Sequence, residues 1–314
     1  MVQVDLITGF LGAGKTTFLR RYAAYLAGQG EHVCILENDF GAVNVDAMLV
    51  QDLLELGCEI ETISGGCDCD THQRRMRTKL ISMAMRGFTR VLVEPSGIFD
   101  VDEFFDVLRD DPLDRWYQIG NVIAIVDAML PETLSPQAEY ILASETANAG
   151  RVLLSRTKQA GPERCKAAAA HLTRALEGCK CSRRFAPEEI ITKDWADLTD
   201  EDLAAIAACG TRQASCEKLH FDEHEAFSSL CFLEQHLTLA QLQAAADRLF
   251  ADAACGHVLR VKGFAPDPQG ETGWLELNAT AAGKTLAPIP QGQDVLIVIG
   301  EGLDKAAIEA RLHG

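Results

Sequence analysis

Apolar residues in the first half of the chain fall into short blocks at 2–7, 32–37, 90–93, 121–126 and 151–154. Blocks of four to six apolar residues bounded by polar or glycine-containing segments read as buried strands. Between and after them, at 18–27, 71–87, 101–108, 136–147, 163–177 and 200–208, apolar positions recur every three or four residues, which predicts helices. A weaker alternation at 56–63 predicts one more strand, and 38–46 reads as a polar loop. The 71–87 helix is basic, with Asp70 or Thr71 as its cap and Gly87 just past its end. Strands that alternate with helices in this way imply a doubly wound, mostly parallel α/β sheet. Near residue 212 the pattern changes to a strand at 227–232, a helix at 239–251, strands at 256–261, 274–277 and 295–299, and a helix at 303–312. That mixed order predicts a smaller α+β domain at 227–314, joined to a domain at 1–212 through a linker at 213–226.

The junction between the first strand and the first helix carries Gly9-Phe10-Leu11-Gly12-Ala13-Gly14-Lys15-Thr16-Thr17, which fits G-x-x-x-x-G-K-[ST]. Gly9, Gly12 and Gly14 let the backbone wrap closely around a polyphosphate. The amides from Gly12 to Thr17 and the positive end of the helix then face the anion. Lys15 is placed to reach the terminal phosphates and the Thr16 hydroxyl to hold Mg²⁺. Glu37, at the end of the second strand, and Asp39 and Asp46 in the loop after it suit Mg²⁺ or an attacking water, or simply form a solvated acidic loop. Glu94 ends a central strand in Glu94-Pro95-Ser96-Gly97, where a carboxylate meets the γ-phosphate and its Mg²⁺ and Gly97 offers an amide as a switch.

Between these two acidic segments lies Ser64-Gly65-Gly66-Cys67-Asp68-Cys69-Asp70. On extended backbone Cys67 and Cys69 point to one side and form a thiolate pair for a soft or borderline cation, with Asp70 as a third ligand unless it caps the helix. The competing reading is a pair of small buried residues. His220 and His224, among acids, suit an ion or a solvated linker, and Cys179-Lys180-Cys181 reads as a surface turn.

Composition narrows the partners. The chain has 314 residues, 47% hydrophobic and 24% charged, which is ample for two domains. Forty-six acidic against twenty-nine basic side chains give a net charge of −17, which opposes binding to nucleic acid or an anionic membrane and favours cations. No run approaches the roughly 20 apolar residues of a membrane span, and the expected setting is the cytoplasm. Eleven cysteines, an odd number scattered along the chain, are expected to be reduced thiols.

Several stretches together resemble the CobW family of P-loop GTPases, relatives of the hydrogenase and urease nickel-insertion GTPases. They are Thr8-Gly9 to Thr17, Glu37-Asn38-Asp39-Phe40-Gly41, Gly66-Cys67, Glu94-Pro95-Ser96-Gly97, Val126-Asp127-Ala128, Phe227-Ser228-Ser229 and Leu259-Arg260-Val261-Lys262-Gly263-Phe264. The resemblance spans nearly the whole chain. It implies a P-loop fold, slow hydrolysis of GTP with Mg²⁺, and handling of a transition metal, Zn²⁺ or Co²⁺, for a client metalloprotein. The expected partners are that client and, as an open alternative that the sequence does not decide, a second copy of the chain in a homodimer. Glu37, Cys67, Cys69 and Asp70 become the metal-side residues, and Ser155 and Arg156 the base-side ones. The chain departs from the family pattern twice. Its C-x-C-C motif ends in Asp70, and its N-K-x-D base motif reads Ser155-Arg156-Thr157-Lys158. A lysine has only donors and cannot accept from guanine N1 and N2. The alternative to metal delivery is a nucleotide-dependent sensor or partner regulator.

Overall fold

The computed structural model describes residues 1–10, 12–39, 51–64, 69–95, 101–214, 216, 227–268, 270, 273–281, 283–289 and 292–313. The chain divides into two compact units, Met1–Leu219 and His220–Gly314.

The first unit is built on seven strands: β1 (Val2–Thr8), β2 (Val33–Asp39), β3 (Glu59–Ser64), β4 (Arg90–Glu94), β5 (Tyr117–Asp127), β6 (Arg151–Ser155) and β7 (Ile190–Ile191). They lie in the order β3-β2-β4-β1-β5-β6-β7, and every pairing is parallel. Helices α1 (Lys15–Gly28), α2 (Cys69–Ala84), α3 (Val101–Arg109), α4 (Leu113–Trp116), α5 (Pro136–Ala147), α6 (Thr157–Gly178) and α7 (Asp200–Ala207) make the connections. The central stretches of these strands are largely apolar because helices cover a parallel sheet on both faces. Ile7, Ile35, Leu92, Ile123, Ile125 and Leu153 are fully buried, packed with Phe18, Leu19 and Tyr22 of α1 and Leu203 and Ile206 of α7.

Three expectations need correction here. Strand β2 continues to Asp39 because Asn38 and Asp39 pair with Ile63 and Ser64 of β3, so both are strand residues and not loop. Helix α2 starts at Cys69, which places Asp70 within its first turn rather than outside it as a cap. Cys69 is therefore helical, not extended. The helix ends at Ala84, and the chain turns through 85–87, where Gly87 takes φ 77°. Helix α6 begins six residues before the predicted start, and its two segments meet at Gly161, with φ 73° and ψ 169°, just before Pro162.

The second unit is an antiparallel sheet of β8 (Ser228–Leu233), β9 (His257–Pro266), β10 (Trp274–Thr280), β11 (Gly283–Ile289) and β12 (Val295–Glu301), in the order β11-β10-β9-β12-β8, with α8 (Leu239–Ala251) and α9 (Lys305–Leu312). Strand β9 runs past the predicted end because Lys262 and Gly263 pair on both sides, with Asn278 and Leu277 of β10 and Ile297 and Leu296 of β12. Its core is formed by Val261, Leu277, Leu296 and Val298 against Leu242, Ala246, Ile308 and Leu312.

Among the described residues, no helix is long and apolar enough to cross a membrane.

Candidate nucleotide and metal site

The carboxyl ends of β1, β2, β4, β5, β6 and β7 lie along one edge of the sheet, where ligands of open α/β folds bind. The phosphate loop leaves β1 there. Gly9 adopts φ 141°, and a Cβ on it would lie 2.2 Å from the Ile125 carbonyl oxygen, so the close approach to β5 requires glycine. Gly12 and Gly14 also take positive φ, 75° and 102°, while the buried Ala13 donates its amide to the Phe10 carbonyl at 3.1 Å. No side chain caps α1, whose N-cap is Gly14, and its first turn carries no acid. Uncapped amides of this kind suit an anion.

Lys15 is buried, with Nζ donating to the Gly9 carbonyl at 2.8 Å. The half-buried Thr16 donates Oγ1 to Glu94 Oε1 at 2.8 Å, and Thr17 is exposed. Glu37 and Glu94 are both buried and occupy paired positions on β2 and β4. A hydroxyl and a carboxylate in contact beside a lysine, with a second carboxylate on the next strand, form an all-oxygen donor set that fits Mg²⁺.

On the other side of β1, Asp127 ends β5 in register with Ser155 of β6. Arg156, in the left-handed region at φ 54°, pairs with Asp127 and donates Nη2 to the Gly12 carbonyl at 2.9 Å. Burial raises the Asp127 pKa, against the opposing charge of Arg156. The loop after β7 closes this side. A Cβ on Gly14 would meet the Trp195 ring at 3.2 Å and Ser155 Cβ at 3.8 Å, and Arg21 holds the Trp195 and Leu198 carbonyls. Lys158 lies 3.2 Å from Asp194 and 3.3 Å from Asp197.

Of the predicted residues, the fold thus gathers Gly12, Ala13, Gly14, Lys15, Thr16, Thr17, Glu37, Glu94, Ser155 and Arg156 around the phosphate loop. Asp39 follows two residues after Glu37 on β2. Cys67, Gly97, Asp46, His220 and His224 lie outside the described residues, as do the side chains of Asp39, Cys69 and Asp70. Among the described residues no three His, Cys, Asp or Glu side chains cluster to hold a metal ion. Sequence reasoning missed Asp194, Trp195 and Asp197, which follow a strand of two residues. The isoleucine pair at 190–191 is too short to show a period, and Trp195 was the one available signal.

The expected reduced thiols and surface turn also need correction. Cys179 and Cys181 are buried, because their amides turn back to the Ala175 and Leu176 carbonyls at the end of α6, and Cys181 is disulfide-bonded to Cys216.

Residues 3–183 match the CobW/HypB/UreG nucleotide-binding domain. The chain belongs to this family. The zinc chaperone YjiA of Escherichia coli is 32% identical over 170 residues, a match that spans 51% of this chain and 51% of YjiA. The chain thus spans about half the length of that relative. The zinc chaperone CobW of Pseudomonas aeruginosa is 25% identical over 99% of this chain and 91% of its own length. The crystal structure of Zn(II)-bound YjiA GTPase from E. coli aligns with 99% of this chain and 97% of its own, at 19% identity and a TM-score of 0.35.

Proposed function

We propose that this chain binds and slowly hydrolyses GTP with Mg²⁺, and that its nucleotide state governs how it holds Zn²⁺ or Co²⁺ and passes it to a client metalloprotein. The observation that carries this reading is the 2.8 Å contact between Thr16 Oγ1 and Glu94 Oε1 beside the buried Lys15. That contact joins the phosphate loop to the end of β4, from which residues 95–97 continue. Magnesium, when bound, would neutralise charge on the phosphates, with Thr16 as ligand and Glu94 nearby. The chain's own part is electrostatic. Lys15 exchanges the Gly9 carbonyl for the terminal phosphate, the loop amides donate to the oxygens on which charge develops, and Glu37 or Asp39 orients water.

The metal part of the reading rests on family membership, on relatives named zinc chaperones, and on Cys67, Cys69 and Asp70. These three residues fall between the two acidic strand ends in sequence, so loops that relax after hydrolysis would loosen the ion. A carboxylate at position 70 makes the donor set harder than three thiolates, and this residue also favours a second reading, a nucleotide-dependent partner regulator that transfers no metal.

Purified protein with Mg²⁺ is expected to bind a fluorescent GTP analogue, and Lys15→Ala to lower turnover about 100-fold or more. Zn²⁺ affinity is expected to differ between the GDP state and a non-hydrolysable triphosphate state, and to fall in Cys67→Ala and Cys69→Ala. Equal Zn²⁺ affinity in both states sinks the coupling. Failure of the unsubstituted chain to retain any purine triphosphate sinks the whole function.

A further inference from the structure

We propose that Asp194, in the loop after β7, is the carboxylate that reads the guanine base in this chain, taking the part that Lys158 cannot play. The inference rests on the nucleotide reading above and adds to it a residue that selects the base. Strands β6 and β7 are parallel neighbours, with Val152 opposite Ile190 and Leu153 opposite Ile191. The segments that follow them, 155–158 and 192–197, therefore leave the sheet side by side at the end that holds the phosphate loop. Both lie against that loop, Arg156 donating to the Gly12 carbonyl, and the Trp195 ring and Ser155 leaving no room for a side chain on Gly14.

Three observations on these two segments point to a ligand beside them. Ser155 is 4% exposed, and its hydroxyl has no hydrogen-bond partner among the described residues. The buried Trp195 Nε1 is likewise without a partner there. Lys158, Asp194 and Asp197 line a separate stretch of surface, a cavity of about 700 Å³ that extends along α6 past Ala169 to Phe185 and Pro187 and does not include Ser155 or Trp195 in its lining.

The chemistry fits guanine. Guanine presents N1–H and the 2-amino group as adjacent donors and O6 as an acceptor. Asp194 Oδ1 accepts the Ala196 amide at 2.9 Å and lies 3.2 Å from Lys158 Nζ. A carboxylate has about four acceptor positions, so capacity remains for the two base donors. Lys158, beside it, supplies a donor for O6 and keeps Asp197, at 3.3 Å, as its counter-charge. Adenine reverses the pattern, offering an acceptor at N1 where the carboxylate needs a donor. Although burial opposes it, the Ala196 amide, Lys158 and Arg21 lower the Asp194 pKa, so the acceptor stays ionised.

The test is calorimetric titration of the full chain with Mg²⁺ and GTP, ITP, XTP or ATP. The unsubstituted protein is expected to bind GTP at least tenfold more tightly than ITP, which lacks the 2-amino donor, and more tightly than ATP. Asp194→Asn keeps the turn cap, because Asn caps as well as Asp. It replaces one acceptor with an amide donor, so GTP is expected to weaken at least tenfold and XTP, with a 2-oxo acceptor, to tighten. A gain in XTP affinity cannot come from misfolding. Asp197→Asn is expected to show no such inversion. Equal affinity for GTP and ITP, ATP preference in the unsubstituted chain, an unchanged GTP to XTP ratio in Asp194→Asn, or inversion in Asp197→Asn instead would each overturn the assignment while leaving triphosphate binding intact. Absence of all triphosphate binding would overturn the proposed function, and this inference with it.

Discussion

Asp5 shows how a single residue can escape a reading of hydrophobic pattern. It lies in β1 with no solvent exposure, yet its carboxylate is fully engaged. Tyr22 donates to Oδ2 at 2.7 Å, Arg90 pairs with Oδ2 at 2.8 Å, and Asn121 donates both its amide and its side chain to Oδ1. Burial raises the Asp5 pKa, and Arg90 opposes it. Removing one partner of a buried pair costs about 3–5 kcal/mol, so Arg90→Met is expected to destabilise the first unit by that order at pH 7. The sign with pH follows from the raised value. The protonated carboxyl is favoured in the fold, so the stability that Asp5 itself contributes is fully present below the ordinary value of 3.8 and lost as pH rises through the folded value, and Arg90 offsets that loss once Asp5 is charged. The Arg90→Met variant should therefore lose less stability, relative to the parent, as pH is lowered from 7 toward 5, as chemical denaturation at each pH would show. An equal deficit at both would remove Arg90 as the counter-charge. The block at 2–7 reads as a buried strand despite Asp5, because the partners that make its burial tolerable come from positions 22, 90 and 121. The turn after β1, by contrast, could be anticipated, since the positive φ of Gly9, Gly12 and Gly14 and the start of α1 at Lys15 come from one short motif.

At the scale of elements, helices were legible where a cap marks the boundary. Helix α5 starts at Pro136 as predicted because Ser135 caps Ala138 at 3.1 Å, and α8 starts at Leu239 because Thr238 and Gln241 form a capping box. The strands that the pattern missed, β7 and β11, are those without a run of buried apolar residues. The seven residues of β11, Gly283–Ile289, are exposed up to the final isoleucine, and β7 has only two residues, so neither produced a period. Missing β7 hid the loop that brings Asp194 and Trp195 to the candidate site. Helix α7 also carries a capping box, Thr199 with Asp202, and Lys193 joins it. Lys193 and the Thr199 amide and hydroxyl push the Asp202 pKa down to about 2. A depressed carboxylate stabilises the fold above its ordinary value of 3.8, and that contribution is lost as pH falls toward about 2. Carbon-detected NMR titration of Asp202 is expected to give a midpoint near 2, and Thr199→Ala to move it toward 3.8. An unshifted midpoint in the parent would show that the box does not form.

At the scale of the molecule, the contrast between parallel and antiparallel halves was legible because strand and helix periods alternate in one half and mix in the other. Covalent connectivity was not, since the spacing of scattered cysteines says nothing about which sulfurs meet. The bond between Cys181 and Cys216 links residues 35 apart in sequence, and closing a loop of that length restricts the unfolded chain by about 3–4 kcal/mol. For a unit of this size each kcal/mol corresponds to roughly 2–4 °C in melting temperature. Unreduced protein, digested and mapped by mass spectrometry, is expected to yield one peptide joining positions 181 and 216. Cys34, Cys58, Cys165, Cys179, Cys209 and Cys255, all unbridged and buried, should resist alkylation until the chain unfolds. Reductant should lower the melting temperature of the first unit by roughly 10 °C, and Cys216→Ser should reproduce that loss and abolish any further effect of reductant. If no linked peptide is found and reductant leaves the melting temperature unchanged, the two thiols are separate in solution, and the chain after α6 is held without a covalent link, by the burial of Cys179 and Cys181, the Cys181 amide on the Leu176 carbonyl and the pair of Arg183 with Glu189.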